Sequence, residues 1–199
     1  MSHQTQRWLQ LVAESAARKS WDSARHKCFV SYHAADAVEV AAFLEAYGSE
    51  FIAKTVGVTD EDDFINSDDP DYIMDQIRSR YLGDSTVTLL LVGRCTWARR
   101  YVDWELYSSL RASRHSSVNG LLAIELPSAA ATSTLPARAA DNVIRDADGL
   151  DVGYGRYVAY PSSADLLRGQ IHDAYLARTQ RAHLLVNNRA RRVRSSSCS

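Results

Sequence analysis

The segment WARRYVDWEL, residues 97–106, places a carboxylate among aromatic and basic residues directly after the most apolar run of the chain. Glu105 falls roughly 100° from the centre of the apolar stripe of a helix, at the rim of its buried face; the stripe consists of Val102, Leu106 and Leu110. A rim carboxylate can be partly desolvated and directed at a ligand. The alternative is a solvated glutamate paired with Arg99 or Arg100, because charged helix residues usually lie at the surface.

Other polar segments permit weaker chemical interpretations. The acidic loop 59–71 could bind a metal, but it lacks the glycine and the final glutamate of a calcium loop, so a solvated loop is the alternative. His33 could contact a phosphate or a ribose, or it could be an ordinary loop histidine. The chain has no glycine fingerprint for phosphates, no nucleophile elbow and no Cys/His pair at useful spacing. No metal site is therefore predicted.

The composition is that of a globular protein with one α/β domain. The chain has 199 residues, of which 46% are hydrophobic and 24% are charged. Its net charge of -1 provides no overall electrostatic attraction for nucleic acid. It has no apolar run of membrane-spanning length and no secretory signal, which predicts a cytoplasmic protein.

Its three cysteines show no metal spacing, and any disulfide leaves one unpaired. Cys28 and Cys95, in or beside predicted strands, are expected to act as small hydrophobic residues.

The chemistry-bearing segments lie between alternating strands and helices. Hydrophobic patterning predicts five strands, at 27–32, 51–58, 85–92, 120–127 and 156–161. Helices are predicted over residues 3–18, after a capping pair Asp36 and Glu39, from Pro70 to Gly83, from about residue 98, and after a cap at Ser162. The unbroken apolar run 85–92 is typical of a strand buried on both faces of a parallel sheet.

This alternation predicts a doubly wound parallel sheet, in which the ligand crevice lies beyond the carboxyl ends of the strands. This rule predicts that the ligand binds near the loops after the first three strands, and these loops contain the highest density of polar side chains in the chain. Three regions follow from the patterning: an N-terminal helical extension at 1–25, the α/β domain at 26–185, and an arginine-rich tail at 186–199.

Two motifs together resemble the TIR-like family of bacterial defence proteins, the branch that includes the TIR proteins of Thoeris anti-phage systems. The first motif is CFVSYHAAD, in which the strand Phe29 to His33 matches the family's opening strand. The second is DSTVTLLLVGRCTWARRYVDWEL, where Ser85 to Gly93 match a strand and Thr96 and Arg99 to Leu106 match the turn and helix that follow. The resemblance covers about residues 26–126.

The resemblance implies a flavodoxin-like sheet of five parallel strands in the order 2-1-3-4-5. It also implies an enzyme that cleaves the nicotinamide–ribose bond of NAD to give ADP-ribose or a cyclic or modified ADP-ribose signal. Glu105 matches the family's catalytic glutamate. NAD is then a substrate, and no cofactor is implied. The substrate-binding residues implied are Ser31, Tyr32, His33, Asp36, Thr96, Arg99, Arg100, Tyr101 and Trp104.

Other interpretations of the sequence stay open. The domain could be a non-catalytic TIR-like adaptor, a deoxyribosyltransferase-like nucleoside enzyme, or a nucleic-acid-binding protein that uses its tail. The resemblance further implies a homo-oligomer formed through TIR–TIR contacts and an effector that senses the product. Charge complementarity between the acidic loop and the tail suggests that the tail takes part in assembly, whereas a solvated tail is the alternative.

Overall fold

Five parallel strands form a single sheet in the computed structural model, which describes residues 3–17, 25–56, 67, 69–112, 117–129 and 134–198. The strands are β1 (Lys27–Ser31), β2 (Ile52–Val56), β3 (Val87–Val92), β4 (Gly120–Glu125) and β5 (Arg156–Val158). They are arranged in the order β2-β1-β3-β4-β5, with every pairing parallel. The predicted fold class and strand order are confirmed.

Helices connect the strands and cover the sheet. The α-helices are α1 (His3–Ala17), α2 (Ala37–Tyr47), α3 (Pro70–Ile77), α4 (Arg100–Ser109), α5 (Ala137–Ala140) and α6 (Ala164–Gln180). A short 3-10 turn, Thr96–Ala98, precedes α4. Pro70 begins α3 as predicted, and Asp69 caps it by accepting hydrogen bonds from two backbone N–H groups.

Both faces of the sheet are covered, so its central strand is fully buried. Every residue of β3 is buried. Leu89 and Leu91 pack in a cluster with residues of α1, α2 and α6, whereas Leu90 and Val92 pack with residues of α4 and α5. This alternation follows from the two-residue period of a strand, and it places α4 over the same face as Leu90.

Several local predictions require correction. Ser163, not Ser162, caps α6, and its Oγ accepts a hydrogen bond from the backbone N–H of Leu166. Asp36 makes no side-chain cap for α2. The helix after Pro70 does not continue as an α-helix to Gly83, because residues Arg78–Leu82 form a π-helical turn. The predicted loop after β4 contains α5, and most of the acidic loop, residues 59–66 and 68, lies outside the described residues.

Within the described part of the chain, no helix is long and apolar enough to span a membrane.

Candidate functional site

The candidate site lies at the carboxyl ends of β1 and β3, where the connecting segments lead into α2 and α4. Ser31 is the last residue of β1, and its Oγ donates a hydrogen bond of 2.5 Å to Oε2 of Glu105 on α4. Both side chains are buried, and Glu105 is 1% exposed. The fold therefore brings together two predicted site residues that are 74 positions apart in sequence.

The expected position of Glu105 at the rim of the helix is wrong, because the side chain is buried. A second neighbour covers this side of α4: Tyr101, Trp104 and Tyr107 pack against a cluster contributed by β1, α3 and the π-helical turn. One turn beyond Glu105, Oγ of Ser108 donates to the sulfur of Met74 on α3. The periodicity of a single helix identifies the face toward the sheet, but it cannot identify the face toward a neighbouring helix.

Tyr32 and His33 follow Ser31, and both have shifted pKa values: Tyr32 is buried in the hydrophobic cluster that includes residues of α1 and α2, whereas His33 is partly exposed. Burial raises the pKa of Tyr32, and the negative charge of Glu105 raises it further. Burial lowers the pKa of His33 to about 4, with the positive charge of Arg99 acting in the same direction. At neutral pH both rings are therefore uncharged, and the partly exposed ring of His33 can pack against a flat ligand or exchange hydrogen bonds with it.

Asp36, Gly93 and Thr96 join the two connecting segments. Oγ1 of Thr96 accepts a hydrogen bond of 2.8 Å from the Gly93 backbone N–H and donates one of 3.3 Å to Oδ2 of Asp36. Burial raises the pKa of Asp36, while the Thr96 hydrogen bond acts in the opposite direction. A Cβ atom on Gly93 would overlap the Asp36 carboxylate, so any larger residue at this position would have to displace that side chain. Gly93 was not predicted as a site residue, although a glycine directly after a buried strand was visible in the sequence.

Arg99 and Arg100 are adjacent in sequence but have different surroundings. Among the described residues Nε of Arg99 is buried and has no hydrogen-bond partner. Its charge acts on His33 and on Asp36, which places it on the crevice side of α4. The guanidinium of Arg100 lies instead over the rings of Tyr101 and Trp104, at 4.6 and 5.4 Å from their centroids.

Tyr101 and Trp104 form an aromatic pair next to Arg100 on α4. Their rings meet edge to face at 5.6 Å, and the Arg100 guanidinium donates to the Tyr101 hydroxyl. Nε1 of Trp104 donates to the backbone carbonyl of Arg192, near the C-terminus. Of the ten predicted site residues, Arg100, Tyr101 and Trp104 thus contact one another and the C-terminal segment, and the two aromatic rings also pack against the cluster of β1, α3 and the π-helical turn. The contacts of the other seven lie around the ends of β1 and β3.

The arginine-rich tail packs along α4, and we refer to residues 185–198 as the strap. Arg189 forms an ion pair with Asp141 at 2.6 Å, and a guanidinium N–H of Arg192 donates to the carbonyl of Trp97. Arg191 lies over the ring of Tyr107, at 5.5 Å from its centroid. These three guanidinium groups are engaged within the chain, so the alternative of a solvated tail is wrong for the part that carries Arg189, Arg191 and Arg192.

A disulfide joins Cys95 to Cys198, and Cys28 is the free, buried cysteine. Cys28 is a small core residue as predicted. The same expectation for Cys95 is wrong, because its sulfur is bonded to the strap. The sequence offered no signal for this pairing, since three cysteines allow three different pairs.

Among the described residues no group of three or more histidine, cysteine, aspartate or glutamate side chains could hold a metal ion.

A comparison with protein families adds independent evidence. The model of a family described as the TIR-like domain of the Thoeris protein ThsB matches residues 29–131, just over half of the chain. The chain belongs to this family. The match extends from β1 through α4 and β4, so it includes all ten predicted site residues of this TIR-like domain and leaves out the strap. No curated protein and no solved structure matched the chain. The family assigns the domain to anti-phage defence.

Proposed function

We propose that this TIR-like domain consumes NAD by cleaving the bond between nicotinamide and ribose. The product would be ADP-ribose or a cyclic or modified ADP-ribose that serves as a signal. The observation that carries the proposal is the buried carboxylate of Glu105, fixed by Ser31 at the carboxyl ends of β1 and β3. Ligands of doubly wound sheets bind at that edge.

The chemistry suits a fixed carboxylate. Nicotinamide in NAD is a cationic leaving group, so its departure takes the bonding electron pair and needs no strong acid. The ribose carbon left behind develops positive charge, as in glycoside cleavage. Glu105 stabilises that charge or holds the ribose hydroxyls. Because the Ser31 hydrogen bond fixes the carboxylate in advance, little reorganisation is needed during the reaction. Water then adds to the ribose carbon, or a nucleophile within the same molecule closes a ring.

The neighbouring groups suit the rest of a dinucleotide. The charge of Arg99 acts on His33 and Asp36, and its buried Nε has no hydrogen-bond partner among the described residues, so we assign it to the pyrophosphate. We assign the stacking of a nicotinamide or adenine ring to His33, which is partly exposed and neutral at pH 7, with the buried ring of Tyr32 next to it in sequence. Asp36 and Thr96 hold the two connecting segments together around this space.

The proposal includes assembly, location and a downstream partner. We infer that a second copy of the domain completes the nucleotide site through TIR–TIR contacts, that the protein acts in the cytoplasm, and that a separate effector senses the product. A nucleic-acid role for the tail has lost its main support, because Arg189, Arg191 and Arg192 are engaged within the chain.

The decisive experiment follows nicotinamide release from NAD by the full-length protein and by Glu105→Gln. Glutamine keeps an acceptor for the Ser31 hydroxyl but removes the charge, so the variant should fold and lose about 10²-fold or more in rate. Glu45→Gln is the matched control, because Glu45 is an exposed carboxylate on α2. This variant should keep the wild-type rate.

The outcomes separate the alternatives. A folded Glu105→Gln protein with wild-type turnover would refute the assignment of Glu105. A folded wild-type protein that releases no nicotinamide at any concentration would favour the adaptor role. Base release from deoxynucleosides instead of NAD would favour a deoxyribosyltransferase. Mass spectrometry of the product distinguishes linear from cyclic ADP-ribose.

A further inference from the structure

The strap is attached to α4 in two parts that differ in how firmly they are held. The first part, residues 185–192, is the anchor segment. The Asn187 side chain donates to the carbonyls of Tyr107 and Leu110. The backbone N–H of Arg192 donates to Asp103 at 2.8 Å, and its carbonyl accepts from Trp104. The anchor segment therefore contacts α4 along its length.

The second part, residues 193–198, is the distal segment, and it is held by few contacts. Val193, where it begins, is 77% exposed. The backbone N–H of Ser196 donates to the carbonyl of Ala98 at 2.8 Å, and Oγ of Ser195 accepts from the backbone N–H of Arg100. Two such hydrogen bonds do not offset the conformational entropy of ordering six residues. The disulfide of Cys198 to Cys95 is thus what keeps the distal segment in place.

The partner of Cys198 lies in the connection that forms the crevice. Cys95 precedes the 3-10 turn Thr96–Ala98, and its carbonyl accepts from the N–H of Ala98. Thr96 in this turn contacts Asp36 and Gly93, and Arg99 follows directly. The distal segment also supplies hydrogen-bond partners to Ala98 and Arg100, at the start of α4. A change at the disulfide is therefore transmitted to the turn that carries these site residues.

The two residues of the disulfide differ in exposure from the free cysteine. Cys95 and Cys198 are each partly exposed, whereas Cys28 is buried and burial raises the pKa of its thiol. Thiolates attack exposed disulfides more readily than enclosed ones. Disulfides that form in reducing compartments are usually transient and redox-sensing.

We propose that Cys95–Cys198 is a reversible modification site whose substrate is a dithiol reductant and whose state controls the order of the crevice turn. A thiolate of the reductant attacks one sulfur, the Cys95–Cys198 bond breaks, and the displaced thiolate takes a proton from water. The second thiol of the reductant then displaces the other cysteine from the mixed disulfide. Two electrons pass from the dithiol, which becomes a disulfide, to the two cysteines. The distal segment then leaves, while the anchor segment stays.

The test combines alkylation and hydrogen exchange on the full chain, oxidised with glutathione disulfide or reduced with dithiothreitol. In the oxidised protein Cys95 and Cys198 should resist alkylation, and after reduction both should react. Amide exchange within residues 94–101 and 193–198 should then accelerate at least tenfold. Exchange in the anchor segment and in β4 should not change. Cys198→Ser should exchange like reduced wild type and should not respond to dithiothreitol, which controls for effects of the reagent elsewhere.

Two results would overturn the inference: both cysteines alkylating after oxidation, or equal exchange of the turn in both states.

A consequence for activity rests on the proposed function. Reduction should raise the KM for NAD several-fold, and Cys198→Ser should show the raised KM in both conditions. If neither state releases nicotinamide, the proposed function fails, and the exchange data still decide the redox site. If the exchange differs while KM stays the same, the control of the nucleotide site is refuted.

Discussion

At the scale of single residues, the contrast between Arg99 and Arg100 is the most specific feature of the candidate site. Arg100 is committed to Tyr101 and Trp104, whereas the charge of Arg99 acts on His33 and Asp36, and its buried Nε has no hydrogen-bond partner within the described chain. A guanidinium whose N–H groups are not all used within the chain is suited to bind an anionic ligand. The sequence could not distinguish the two arginines, because either one lies within reach of the ends of the strands.

The pair provides a matched test. Arg99→Met should raise the KM for NAD roughly 10- to 100-fold and change kcat less, because a charge-assisted hydrogen bond to the substrate is lost. Arg100→Met removes the same charge one position away and should leave KM within about twofold. Steady-state kinetics of nicotinamide release measure both. A raised KM in Arg100→Met together with an unchanged one in Arg99→Met would reverse the assignment.

At the scale of elements, α4 is fixed from three sides, by the sheet, by α3 and by α5 with the strap. Asp103 on α4 forms an ion pair of 3.0 Å with Arg138 on α5, whose side chain is 0% exposed. Other guanidinium N–H groups of Arg138 donate to Asn187 and to the carbonyl of Ala190 in the strap. This network joins α5, α4 and the anchor segment. It therefore helps to fix the orientation of the helix that carries Glu105.

Removing one partner of this buried pair should be costly. Arg138→Met leaves the Asp103 carboxylate buried without its cation and should lower the free energy of unfolding by about 3–5 kcal/mol. Arg145→Met is the control, because the Arg145–Asp151 pair is exposed and should contribute less than about 1 kcal/mol. Chemical denaturation of both variants gives the comparison. Equal losses would show that the buried network does not stabilise α4.

At the scale of the whole molecule, the strap is part of the folded domain, although the family match ends at residue 131. Its arginines are engaged within the chain, so the charge complementarity predicted between tail and acidic loop is not needed to explain them. A chain ended after Asn187 would lose the Arg192 contact to Asp103 and so would disturb α4 itself. Assembly is therefore best tested with the full chain.

If a second copy completes the nucleotide site, specific activity should rise with protein concentration. We expect the rate of nicotinamide release per mole of protein to increase over a hundredfold dilution series, because association follows mass action. Light scattering on the same samples should show a parallel increase in mass. Specific activity that is flat across the series, with a constant mass, would mean that each chain has a self-sufficient site.

Much of the fold could be predicted from local sequence. Strand β3 is a run of apolar residues that only a doubly covered position accommodates, and its predicted and observed bounds nearly coincide. Alternating strand and helix patterns then leave few topologies, because crossovers are right-handed. The polar loops after β1 and β3 were selected because each lies where a parallel strand ends, whereas the roles of Ser31 and Glu105 were predicted from the resemblance to the TIR-like family. Periodicity, handedness and strand ends are properties of short segments.

Tertiary structure alone decided the surroundings of those residues. Glu105 is buried because α3 and its π-helical turn pack on a side of α4 that the helical pattern leaves polar. Cys95 and Cys198 are 103 residues apart, and only the path of the chain brings their Cα atoms to 5.7 Å. The same path gives Arg99 and Arg100 different surroundings. Burial and pairing depend on the distances between segments remote in sequence, and a local pattern contains no information about those distances.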